Sequence, residues 1–183
     1  MLNSFKQDVQ RWFVPQQVAP AAYVTFPRTL RLMWVYKSLR AMFWLRFGTW
    51  CVRKRIPLSK SLFSAILYYF HGLELEIGAD IGGGLYIAHP RGVVIVASHI
   101  GRNCSVIANV TVGMRNEYAF PEIGDDVFIG AGARVLGNIK IGDGAKIGAN
   151  AVVIQDVPAG ATVVGIPARV ISIDEAYAQT ETD

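Results

Sequence analysis

The chain has few cysteines and few histidines, which restricts the chemistry it can carry. Cys51 and Cys104 form no CxxC pair and are too few for a disulfide framework, so we predict a reduced, cytoplasmic protein. The histidines are His71, His89 and His99, and no two of them are spaced like the close pair of a three-histidine zinc site. We therefore expect no catalytic metal.

Charged residues and long apolar runs are also scarce. Charged side chains make up 17% of the 183 residues, and the formal net charge is +4. This mild basic bias favours an acidic ligand over a nucleic acid. Basic residues interrupt the two most apolar stretches before either reaches 18 residues, so we predict no membrane span. Charged residues likewise interrupt 1–15, where a signal peptide would need an apolar core.

The hydrophobic fraction, in contrast, is high at 52%, and we expect apolar surface to remain for a partner subunit or a membrane. Residues 1–72 are predicted to form a helical domain: a short helix and an irregular arm over 1–28, a helix over 29–55 with Thr29 as its N-cap, and a helix over 58–71. Two interpretations of these basic, aromatic helices stay open. They pack on one another and on a neighbouring subunit, or they lie on an anionic bilayer surface.

Aliphatic residues recur at every sixth position in the second half of the chain. They are Ile123, Ile129, Val135, Ile141, Ile147 and Val153. A period of six fits neither an amphipathic helix nor a half-buried strand. It is typical of a parallel β-helix, in which short strands alternate with tight corners and the aliphatic side chains stack inward.

The same step runs from Leu75 to Val112, with one extra residue before Ile100. It stops over 113–122, where a loop replaces the expected strand. We predict a β-helix domain over 73–171 and a flexible tail over 172–183. Because a rigid solenoid holds such a loop in place, the loop is predicted to serve a binding face; a tolerated surface insertion is the alternative.

Three stretches carry a family likeness: GADIGGGLYIAHPRGVVI, IGAGARVLGNIKIGDGAKIGANAVVIQDVP and VVGIPARV. Together they make 72–171 resemble the hexapeptide-repeat acyltransferases, and among these the serine acetyltransferase branch. The resemblance implies a left-handed parallel β-helix, a homotrimer and acetyl-CoA as co-substrate. Since three hexapeptides make one coil in that fold, we expect Ile123 to stack beneath Ile141.

The resemblance places His89, in YIAHPRG, at the family's catalytic histidine. An imidazole there would act as the general base for a hydroxyl that attacks the thioester. Glu74, in LELEIG, falls where the branch places an aspartate that holds the histidine. The alternative is that His89 is a corner residue and Glu74 a solvated charge. We expect a structural role for His99, and we expect His71 to end a helix, where a cation is mildly favourable.

The likeness also assigns the acetyl-CoA groove. It places Gly113, Ala131 and Ala149 along this groove, where backbone amides do most of the binding. Lys146 and Arg169 are candidates for contacts to the phosphates or the adenine side of acetyl-CoA. The alternative is that each is simply an exposed charge.

The acceptor positions depart from the branch. Ala88, Ala119 and Phe120 stand where serine acetyltransferases carry charged contacts to the amino acid, and a free amino acid would leave its charges unpaired there. The sequence therefore predicts transfer to a sugar hydroxyl in exopolysaccharide, capsule or lipid-linked glycan biosynthesis, at the inner membrane face, with Tyr118 and Phe120 stacking on the sugar. The alternatives are a serine O-acetyltransferase of cysteine biosynthesis and a non-catalytic β-helix scaffold.

Overall fold

The structure is a computed structural model that describes residues 1–13 and 18–178. Four helices come first: α1 (Leu2–Gln10), α2 (Phe26–Val35), α3 (Lys37–Arg53) and α4 (Ser59–Ile66). A 3-10 turn, Ala21–Tyr23, precedes α2, and a π-helical turn, Leu67–His71, continues α4. Residues 14–17 of the predicted arm and 179–183 of the predicted tail lie outside the described residues.

The helix predicted over 29–55 is two helices, α2 and α3. The chain breaks at Tyr36, whose backbone is extended with φ −102° and ψ 109°. Thr25, not Thr29, precedes α2, and Thr29 lies inside it with its hydroxyl donating to the Thr25 carbonyl at 2.9 Å. Pro27 is tolerated in the first turn because the amide hydrogen it lacks would have no partner within the helix. The apolar spacing alone did not reveal this earlier start.

Three sheets form the sides of a coil over the rest of the chain. The first contains β1 (Leu73–Leu75), β3 (Val93–Ile95), β6 (Thr111–Gly113), β9 (Arg134–Leu136) and β12 (Val152–Val153). The second contains β4 (His99–Ile100), β7 (Glu122–Ile123) and β10 (Lys140–Ile141). The third contains β2 (Tyr86–Ile87), β5 (Ser105–Val106), β8 (Phe128–Ile129), β11 (Lys146–Ile147), β13 (Ala161–Gly165) and β14 (Ala168–Ile173).

The repeated aliphatic residues stack inside this coil. Ile123 pairs with Ile141 and Ile129 with Ile147 in parallel register, as the sequence predicts. All four side chains are at most 2% exposed. Burying each of them contributes about 1.5–3 kcal/mol, so the stack forms the core of the coil. The predicted parallel β-helix with an N-terminal helical segment is confirmed.

The helices share this core rather than forming a separate one. Leu39 and Leu45 of α3 and Leu67 of the π-helical turn belong to the same buried cluster as Leu73 and Ile87 of the coil. At the other end, β14 turns back antiparallel on β13 and is followed by a short helix, α5 (Glu175–Ala178). This differs from the loose tail predicted from residue 172, because β14 continues pairing to Ile173 and the Tyr177 ring covers Gly144.

Candidate active site

His89 lies in the corner between the third and the first sheet, after β2 and before β3. The side chain is exposed, and the backbone amide donates to the Ile107 carbonyl of the next coil at 2.9 Å. The corresponding corners of the following coils are bonded to one another in the same way. The Gly132 amide donates to the Ala108 carbonyl at 2.7 Å, and the Asn150 amide donates to the Ala131 carbonyl at 2.8 Å. His89 therefore stands at the foot of a column of stacked corners.

The predicted acetyl-CoA contacts divide between two corners. Ala131 and Ala149 belong to the column above His89, one coil apart. Lys146 lies on β11 just before this corner, and Arg169 lies on β14 opposite Val164. Both side chains are exposed. Because coils in such a stack are about 4.8 Å apart, Ala149 lies roughly 14 Å along the edge from His89.

Gly113 is the exception among the predicted groove residues. It ends β6, at the opposite edge of the first sheet from the His89 corner. A Cβ atom at Gly113 would meet nothing within 4 Å, so the position is open. Within one chain, the structure does not bring Gly113 together with Ala131 and Ala149.

The extruded loop begins next to Gly113 and spans 114–121, between β6 and β7. Tyr118 and Phe120 contact each other edge to face, with ring centroids 5.1 Å apart. The Ser98 hydroxyl donates to the Pro121 carbonyl at 3.1 Å and fixes the end of the loop. Tyr118 is 86% exposed. The loop thus offers aromatic surface at the edge of the sheet that lies away from His89.

Glu74 and His89 are not in contact. Glu74 is exposed on β1, where it pairs with Val94, and it lines a cavity with Tyr68 and Tyr69. His89 lines a different cavity. No hydrogen bond or ion pair joins the Glu74 carboxylate to His89 within residues 1–13 and 18–178. The pairing of these two residues stays a prediction.

The cavity at His89 has a volume of about 310 Å³ and contains residues that sequence reasoning missed. The N-terminus of α3 contributes Lys37 and Ser38, the π-helical turn contributes His71, and the corner itself contributes Arg91. The Ser38 hydroxyl donates to the Ala88 carbonyl at 2.9 Å, which ties α3 to the corner. Arg91, two residues after His89, was the only one of these with a signal in the sequence.

His71 is 8% exposed, and its Nδ1 atom is buried without a hydrogen-bond partner among the described residues. Burial, together with the positive charge of Arg40, lowers the pKa of His71; a backbone hydrogen bond with Lys37 acts in the opposite direction. The imidazole ends the helical segment as predicted. It is held neutral, however, and is not the cation expected at a helix end, because burial penalises the charged form.

The structural role expected for His99 stays a prediction. Its Nδ1 atom lies 2.8 Å from the Asp80 carboxylate, on the second sheet and away from the His89 corner. Among the described residues, no group of three or more His, Cys, Asp or Glu side chains is placed to hold a metal ion. No helix in that part of the chain is both long and apolar enough to cross a bilayer.

Residues 120–155 match the family of bacterial transferase hexapeptides with six repeats. The chain is 35% identical to a serine acetyltransferase of Staphylococcus aureus, over 95% of this chain and 80% of the relative. The chain belongs to the serine acetyltransferase family. It is also 39% identical to the serine acetyltransferase of Synechococcus elongatus, over 78% of this chain but only 60% of that relative. A solved serine acetyltransferase in complex with CoA has a TM-score of 0.74 and 29% identity, over 93% of this chain and 69% of the other.

Membership of the serine acetyltransferase family confirms the predicted enzyme class, an acetyl-CoA-dependent acetyltransferase. The predicted transfer to a sugar in polysaccharide biosynthesis is wrong, because these relatives and structural neighbours are serine acetyltransferases. The error came from judging the acceptor by Ala88, Ala119 and Phe120 alone. The fold adds Lys37 beside His89 and Arg91, and the place of Lys37 in this cavity could not be located from the sequence.

Proposed function

We propose that the chain is a serine O-acetyltransferase, which transfers the acetyl group of acetyl-CoA to the hydroxyl of L-serine and releases CoA. The observation that carries this proposal is the 35% identity to the Staphylococcus aureus serine acetyltransferase over 95% of the chain. The cavity at His89 supports it, since basic side chains there can meet the charge of an amino acid acceptor.

In the proposed reaction, His89 is the general base. Its exposed imidazole takes the proton of the serine hydroxyl as that oxygen attacks the thioester carbonyl carbon. The carbon–sulfur bond then breaks, the acetyl group stays on the serine oxygen, and the CoA sulfur leaves with the proton returned by the imidazolium. Glu74 is proposed to hold and orient the imidazole once substrates assemble the site, because a neighbouring carboxylate favours the charged imidazolium.

Acetyl-CoA is proposed to lie along the column of corners above His89. Ala131 and Ala149 lie on this edge, where their backbone amides are proposed to bind the co-substrate, and Lys146 and Arg169 carry exposed positive charges for the phosphates. This arrangement places the thioester next to His89 at the foot of the column. The CoA complex of the similar serine acetyltransferase supports a CoA site on this fold.

A homotrimer completes this proposal. Gly113, Tyr118 and Phe120 lie at the opposite edge of the first sheet from His89. They can therefore contact an acceptor bound at His89 only if they come from another copy of the chain. A threefold assembly would bring the loop of one copy to the His89 corner of the next.

The helical segment is proposed to contact an anionic membrane surface. This is one of the two interpretations that its sequence leaves open. No aspartate or glutamate occurs anywhere in 9–73. On α2, Phe26 is 83% and Trp34 86% exposed, and Arg28 and Arg31 are exposed between them. Exposed aromatic rings beside exposed cations suit the boundary between lipid headgroups and acyl chains.

The test of the proposed function is CoA release from acetyl-CoA by the purified chain, followed with a thiol reagent. L-Serine should release CoA, and L-alanine, which has the same two charges but no hydroxyl, should not. Release with serine no faster than with alanine would refute the proposal. A scaffold without turnover would in addition show no thermal stabilisation by acetyl-CoA.

A further inference from the structure

The cavity beside His89 is lined by two exposed cations and no acidic side chain. Lys37 comes from the first turn of α3, and Arg91 follows His89 within the same corner. An adjacent cavity shares Lys37 and His71 and adds Arg40. A pocket with this charge, open to solvent, favours a small anion over a neutral or cationic ligand.

Neither cation has a partner that would neutralise it. Among the described residues, no ion pair or side-chain hydrogen bond is formed by the ammonium of Lys37 or the guanidinium of Arg91. In contrast, Arg46 is paired with Asp8 and Arg102 with Asp125. Among the described residues, Lys37 and Arg91 are thus cations without an ion pair that line the same cavity as the proposed catalytic base.

His71 lines both cavities and adds no negative charge to them. Its side chain is buried and neutral, and Arg40 and Lys37 lie near enough to disfavour its protonation. The Ser38 hydroxyl is already engaged with the Ala88 carbonyl. The charged groups that this cavity offers to an anionic ligand beside His89 are therefore Lys37 and Arg91.

We propose that Arg91 and Lys37 bind the carboxylate of the acceptor amino acid and so hold its hydroxyl at His89. This assignment rests on the proposed function and names the residues that determine its acceptor. A guanidinium fits a carboxylate through two parallel hydrogen bonds, and the ammonium adds a second charge. The pair supplies what Ala119 and Phe120 on the loop cannot.

The test compares L-serine with L-serinamide, which keeps the hydroxyl and the ammonium but lacks the carboxylate. For the wild type, we expect kcat/KM to be higher with serine. Arg91→Met should lower kcat/KM for serine about ten- to a hundredfold, mainly through KM, because a charged hydrogen-bonded pair is lost. It should leave the value for serinamide unchanged. Lys37→Met should act in the same direction.

Arg53→Met is the matched control, because Arg53 is an exposed arginine at the other end of α3. It should not change either value. An Arg91→Met enzyme with an unchanged KM for serine, or with a changed KM for acetyl-CoA only, would overturn the assignment. The second outcome would mean that these cations bind a phosphate of the co-substrate.

Binding without turnover separates this proposal from the proposed function. Calorimetric titration of wild type and Arg91→Met with L-serine, in the presence of CoA, measures the carboxylate site directly. If serine binding depends on Arg91 but no acetyl group is transferred, only the proposed function is overturned. If the enzyme acetylates serine but serine binding does not depend on Arg91 and Lys37, only the proposed carboxylate site is overturned. No serine binding by the wild type would overturn both.

Discussion

Asp8 and Arg46 form a buried, bidentate ion pair that joins α1 to α3, with N to O distances of 2.8 and 2.9 Å and exposures of 0% and 7%. The same carboxylate accepts hydrogen bonds from the amides of Gly84 and Leu85, both at 2.9 Å. Arg46 also donates to the carbonyl of Ile81 at 2.8 Å. The pair therefore fastens the helices to the first coil, at the corner that precedes β2.

Asp8→Asn should lower the free energy of unfolding by about 3 kcal/mol, because it leaves the Arg46 charge buried and unpaired. Urea unfolding at a fixed protein concentration measures this. Asp80→Asn is the control: its contact with His99 is also 2.8 Å long, but both side chains are largely exposed. That change should cost less than about 1 kcal/mol. Equal losses in the two variants would contradict the role of the buried pair.

His71 should make stability fall as the pH falls. Burial lowers its pKa in the folded state, so below its ordinary pKa the unfolded chain binds more protons than the folded chain. Stability is then fully present above the ordinary value and decreases as the pH falls from there toward the folded-state pKa. In His71→Gln this part of the pH dependence should disappear. Thermal melting of both proteins at pH 7.5 and 5.5 compares the two slopes, and identical slopes would contradict the burial argument.

The coil was predictable because each of its repeats is local. Ile123 and Ile141 are set in register by a six-residue step that any short window of the sequence shows. The site was less predictable, because it depends on how the helices dock. Lys37 shares a cavity with His89 because α3 docks on the corner, where the Ser38 hydroxyl bonds to the Ala88 carbonyl, and no periodicity encodes that contact.

The glycines at 82–84 show the same limit of local reasoning. Nothing in the repeat explains three glycines in a row. In the structure α1 lies against them, and a Cβ atom on Gly83 would collide with the side chain of Gln7. The space at Gly83 is therefore limited by a helix almost eighty residues earlier in the chain, whereas a Cβ atom on Gly82 would meet the backbone of Gly101 in the next coil and Gly84 has a φ of +83°. A local pattern does not reveal these contacts.

His89→Ala should lower kcat for serine acetylation by about 10²–10⁴-fold, the usual contribution of a general base. Stabilisation by CoA and the oligomeric mass should not change, because the side chain is exposed and supports no packing. His99→Ala is the control, since His99 lies on the second sheet and its side chain is paired with the exposed Asp80. Retention of most of the activity in His89→Ala would contradict the assignment.

The exposed face of α2 should bind anionic membranes. We expect the chain to sediment with vesicles that contain phosphatidylglycerol but not with pure phosphatidylcholine, and binding should weaken as salt is added. Trp34→Ser should reduce binding roughly 10- to 150-fold, because one buried aromatic side chain is worth about 1.5–3 kcal/mol.

Tyr118→Ser is the matched control for Trp34→Ser. Both rings are 86% exposed, but Tyr118 is on the extruded loop of the coil. Tyr118→Ser should therefore leave vesicle binding unchanged. Binding to neither vesicle type would mean that the exposed face of α2 is instead covered by another subunit, and equal binding to both would contradict the charge-dependent contact.

A site shared between subunits should show complementation. His89→Ala lacks the base, and a Tyr118→Ala, Phe120→Ala double variant lacks the loop rings, so each should be weakly active alone. If the loop of one copy completes the His89 corner of the next, random co-refolded trimers from equal amounts would contain about a quarter of intact sites. Activity should then recover to about a quarter of the wild-type level. No recovery, with mixed trimers verified by an affinity tag on one variant, would place the whole site within a single chain.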